Sequence, residues 1–75
     1  MKEEKINISL SKEEALVLFE FLSRYLDTDK LEIEDQSEAQ ALWDLASLFE
    51  KELVEPFDKN YQDILAKARK VLKSE

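Results

Sequence analysis

A chain of 75 residues without a single glycine must make every turn without the residue that enters positive φ at no steric cost. Asparagine and aspartate are the expected substitutes at its turns, and helices, which need no such residue, should dominate. Cysteine and histidine are absent as well. Disulfides and thiolate metal sites are thereby excluded, together with the commonest zinc ligand and the commonest general base. A core this short supplies only about 3–5 kcal/mol unless it is stapled, so stability must come from tight helix packing or self-association. The length sets a single domain, residues 1–75, for which no cofactor is expected.

Charge is distributed unevenly. Residues 27–58 carry eleven acidic and two basic side chains, whereas residues 59–75 carry five basic and two acidic. The middle of the chain is therefore an acidic belt, and the overall charge of −7 disfavours nucleic acid and anionic membrane as partners. The opening MKEEKINISL lacks the apolar stretch of a signal peptide, and the longest uninterrupted apolar run, Ala15 to Phe19, is far too short to span a bilayer. A soluble, cytoplasmic protein is expected, and the absence of cysteine fits a reducing compartment.

Periodicity divides the chain into elements. In KINISL, Ile6, Ile8 and Leu10 alternate with Asn7 and Ser9, the pattern of a short half-buried strand. Ser11 with Glu14 forms a capping box that opens a helix from Lys12 to Leu26. Its stripe is Ala15, Leu18, Phe19, Leu22, Tyr25 and Leu26, with Phe21 beside it. Leu16 and Val17 lie off the stripe, against the strand or a second subunit. Leu31 and Ile33 alternate with charged residues, which predicts a second strand pairing with the first in parallel, helix 1 serving as the crossover.

Ser37, with Gln40 closing a second capping box, should start a helix running to Leu53. Apolar residues cover more than half its circumference, so helix 2 is expected either at the centre of the fold or in an interface. Pro56 ends it. Asp58 is the expected cap of a third helix, Lys59 to Lys73, with a narrow stripe of Tyr61, Ile64, Leu65, Ala68, Val71 and Leu72. Phe57 should staple back onto Tyr61 or Leu65.

Three groups of residues bear on function. Glu32, Glu34, Asp35 and Glu38 form an acidic cluster that reads first as solvated surface, then as a contact for a partner, and last as a carboxylate site for Mg²⁺ or Ca²⁺. The oxygen spacing and glycine of an EF-hand loop are missing. Lys67, Arg69, Lys70 and Lys73 spread around the outside of helix 3 and offset the negative end of its dipole. Trp43 and Val54 stand close to three helical turns apart at the edge of the apolar arc of helix 2. Core packing is the plain reading of that pair, and contact with a partner or a second copy is the functional one, tryptophan being enriched among interface anchors. Leu16 and Val17 raise the same question.

The segments EEALVLFEFL (Glu13 to Leu22), ALWDL (Ala41 to Leu45) and EPFDKNY (Glu55 to Tyr61) are similar to those of small stand-alone bacterial helical proteins of unknown function. The resemblance spans most of the chain. It implies a compact bacterial helical domain and carries over neither an activity nor a site residue.

The expectation is thus an α+β, mainly α fold: a three-helix domain with a short two-stranded sheet and helix 2 central. Functionally the expectation is a non-enzymatic protein–protein interaction module, accessory, antitoxin-like or immunity-like in kind. Its candidate interface is Leu16, Val17, Trp43 and Val54, and its candidate acidic partner surface is Glu32, Glu34, Asp35 and Glu38. The alternatives are a structural homo-oligomer, a homodimer in the simplest case, and a carboxylate metal-binding protein.

Overall fold

The computed structural model describes residues 4–26, 28 and 32–74. It consists of helices α1 (Lys12–Tyr25), α2 (Gln36–Glu52) and α3 (Tyr61–Lys73), with a single 3₁₀ turn at Glu55–Phe57 between the last two.

The start of α1 follows from its capping box. The Ser11 hydroxyl accepts from the Glu14 N–H at 3.1 Å, and the Glu14 carboxylate accepts from the Ser11 N–H at 2.9 Å. Helix α2 starts earlier than expected, because Asp35 and not Ser37 is its cap. The Asp35 carboxylate accepts from the Ser37 N–H at 2.8 Å, and the Glu38 carboxylate reaches back to the N–H groups of Glu34 at 2.8 Å and Asp35 at 3.3 Å. Gln40, expected to close the box with Ser37, instead donates to Asp44 one turn on. Helix α3 starts later than expected. Asp58 spends its carboxylate on a tight turn, accepting from the Asn60 N–H at 2.7 Å, and Asn60 takes the cap position.

The expected two-stranded sheet is not formed. Among the described residues there is no strand, and the fold is mainly helical. The cause lies at the second segment, where the backbone donors of Glu34 and Asp35 are taken by the Glu38 carboxylate and committed to opening α2. Ile33 is left exposed beside them, and Leu31 lies outside the described residues. The first segment, residues 4–10, is exposed and has no partner strand among the described residues. Nor do the described asparagines and aspartates take up positive φ in place of glycine. No described residue has positive φ: α1 closes through a right-handed Leu26 and α2 through an extended Leu53.

The central helix is α1 and not α2. It packs against both other helices, more extensively against α3, with no comparable contact between α2 and α3. Two faces of α1 do this work. Phe19, Leu22 and Leu26 share a cleft with α2, whereas Leu16 shares one with Ile64 and Ala68 of α3. The off-stripe position of Leu16 is thereby explained, since a helix between two neighbours needs a second apolar face. The Tyr61 hydroxyl donates to the Glu20 carboxylate at 3.0 Å and ties α3 to α1, while Lys12 pairs with Glu55 at 3.0 Å and ties α1 to the 3₁₀ turn.

The core that results is small. Leu16, Leu22, Phe49, Leu53, Leu65 and Ala68 are buried, whereas eleven large apolar side chains remain exposed among the described residues. The radius of gyration is 14.0 Å, against about 11 Å for a compact chain of this length. Buried residues from all three helices form one cluster, and residues 4–10 lie outside it.

Candidate interaction surface

The acidic cluster is built by the start of α2. Glu32, Glu34, Asp35 and Glu38 are all exposed and crowd the first turn and its approach, where carboxylates favour the positive end of the helix dipole. Hydrogen bonds from the Ser37 backbone and side chain hold the Asp35 carboxyl below its ordinary range. With Asp35 and Glu38 spent on backbone donors, Glu32 and Glu34 are the members left to face a partner. Among the described residues no three acidic side chains converge as metal ligands would. The basic end of the chain places Lys70 and Lys73 in the last turn of α3, both exposed.

Trp43 stands at the edge of the α1–α2 cleft, 44% exposed. The cleft measures about 220 Å³, with Phe19, Leu22, Leu26 and Ala46 as its apolar wall and Ser23, Ser47 and Glu50 as its polar rim. An indole half out of such a cleft offers an apolar face and an N–H donor to whatever settles beside it. A carboxylate on the rim favours a cationic neighbour.

The other candidates divide. Leu16, named for an interface, is the opposite: at 2% exposure it sits in the core between α1 and α3. Val17 is half-buried and packs against that core. Val54 is open at 72%, on the turn between α2 and the 3₁₀ helix. Phe57, expected as a staple, is likewise exposed. Trp43 and Val54 are therefore both accessible, while the structure separates them from Leu16.

Some of the exposed surface escaped the reading of the sequence. Leu48 lies on the opposite edge of α2 from Trp43 and faces a trough of about 420 Å³ that Ile8 and Leu10 help to line. The signal for Leu48 was present in the wide apolar arc of α2, which exceeds what one neighbouring helix can cover. The cross-links Tyr61–Glu20 and Lys12–Glu55 had no signal, because each joins residues more than forty positions apart.

The chain matches no protein-family model, no curated protein and no solved structure. No helix among the described residues is long and apolar enough to cross a membrane.

Proposed function

We propose that this chain is a small acidic interaction module, accessory, antitoxin-like or immunity-like in role, that receives a basic protein partner along α2. Within this reading it is not an enzyme, it works in the bacterial cytoplasm, and its partner is a protein, not nucleic acid or membrane. The observation that carries the reading is Trp43, a half-exposed indole on an apolar cleft with Glu50 on its rim. Glu32 and Glu34 extend the acidic surface at the start of the same helix. Desolvated aromatic anchors supply affinity in such interfaces, and a rim of one charge supplies steering and selectivity.

The test is affinity capture of the partner from the source cell at rising salt, with a Glu32→Lys, Glu34→Lys double variant beside the wild type. Neither glutamate side chain caps α2, so the variant should keep its helices despite the less favourable charge at the positive end of the dipole, and circular dichroism checks this. Capture that weakens with salt and with the double variant supports the reading, because exposed charges are screened over about 8–10 Å at these ionic strengths. Capture indifferent to both removes electrostatic steering from the account.

A second reading, a structural homo-oligomer, is favoured by the large exposed apolar residues away from Trp43, Ile6, Ile8 and Leu48 among them.

A further inference from the structure

The cleft between α1 and α2 holds about 220 Å³, below the roughly 300 Å³ at which pockets for small molecules begin. That is room for one long side chain. Its floor is apolar, with Leu22 and Ala46 in it, and the half-exposed Trp43 indole stands at its edge. Its polar side chains are Glu50, Ser23 and Ser47, and no cation lines it.

The negative charge on the rim is unmatched. Among the described residues the one ion pair is Lys12–Glu55, so Glu50 has no cation of its own. Lys51 shares a separate depression with Ser47 and Glu50 without pairing there, and Arg24, next to Ser23, stacks over the Tyr25 ring at 5.1 Å. Glu50 also lies in the last turn of α2, at the negative end of the helix dipole, where a cation is favoured and a carboxylate is not.

We infer that the occupant of the cleft is an arginine side chain of the partner protein. This rests on the function proposed above and names the group that the surface receives. Trp43 and Glu50 are seven residues apart, about 10 Å along α2 at about 1.5 Å per residue. An extended arginine can lie lengthwise between them, its methylenes over Leu22 and Ala46 and its guanidinium at the Glu50 carboxylate. Each polar side chain of the cleft can accept a hydrogen bond, which suits a group with five donors and no acceptor. Arginine is favoured over lysine because its guanidinium is more weakly hydrated and meets a carboxylate through two parallel N–H donors.

Trp43 is the only tryptophan of the chain, so its fluorescence reads the cleft directly. The probe is a blocked Gly-Arg-Gly tripeptide titrated into the full chain at constant ionic strength, beside tripeptides with citrulline or lysine at the centre. The expected result is a saturable change in emission with arginine. Citrulline, which keeps the shape and loses the charge, should bind about tenfold more weakly, and lysine should also bind more weakly. Glu50→Gln should weaken arginine binding about tenfold. Glu52→Gln removes the same charge from the same end of α2 but outside the cleft, and should leave binding unchanged. Circular dichroism checks that both variants keep their helices. An emission unmoved by the arginine tripeptide overturns the proposal, as does equal binding of the citrulline or lysine tripeptide. Equal binding by Glu50→Gln and wild type overturns it too, and so does an equal loss in both variants, which would mean general attraction to an acidic chain. Capture of the partner separates this inference from the function beneath it. Capture lost in Trp43→Ala but kept in Glu50→Gln retains the partner surface and removes the arginine, whereas capture kept in both removes the surface as well.

Discussion

Leu16 and Trp43 show how burial and not residue type decides what a side chain contributes. Leu16 sits between α1 and α3, so Leu16→Ala removes packing on two sides and should cost about 2–5 kcal/mol. A domain this small holds only about 3–5 kcal/mol in reserve, so a thermal melt of that variant should show a largely unfolded chain. Trp43→Ala, at an edge, should cost about 1 kcal/mol or less and keep the helical spectrum. Tyr61 adds a pH dependence. Partial burial, then its hydrogen bond to Glu20, pushes its phenol up to about 12. A raised acid pKa stabilises the fold below the ordinary value of 10.0 and is lost as pH climbs through the folded value. Alkaline melts should therefore show a loss of stability between those limits that Tyr61→Phe abolishes. At neutral pH that variant should cost about 1 kcal/mol, the worth of one partly exposed hydrogen bond.

At the scale of elements, capping chemistry sets the boundaries, and it was only partly legible. Ser11 and Glu14 announce α1 correctly, because no competing cap lies near them. Around α2 two boxes overlap, Asp35 with Glu38 and Ser37 with Gln40, and the pattern alone does not rank them. The earlier box wins because it satisfies the Glu34 and Asp35 donors and adds residues to the helix. That choice also removes the second strand, since the same donors cannot serve a sheet. The depressed Asp35 carboxyl stabilises the fold above its ordinary pKa of 3.8, and that contribution fades as pH falls through the lowered folded value. Asp35→Asn, an equally good cap, should keep the neutral melting temperature and lessen the acid loss, whereas Asp35→Ala should lower the melting temperature at neutral pH. Ser11→Ala should cost about 1 kcal/mol in the same assay.

At the scale of the molecule, α1 is central because it alone has two apolar faces. The sequence showed one of them as a stripe and the other only as two residues out of place, Leu16 and Val17. The breadth of apolar surface on α2 was legible, but its cause was not: α2 packs chiefly on α1, so both edges of its arc stay open, at Trp43 and at Leu48. The acidic cluster was legible as a group of charges and not as the start of a helix. A chain of net charge −7 with so small a core also repels itself, and moderate salt should raise its melting temperature despite weakening the exposed Lys12–Glu55 pair.

The proposed function stands on Trp43 belonging to a surface offered to a partner and not to the core. Its most direct test is the amount of partner retained, at low salt, by equal quantities of folded wild-type and Trp43→Ala protein. The variant is expected to stay folded and to retain far less. Equal retention by the two proteins would contradict it.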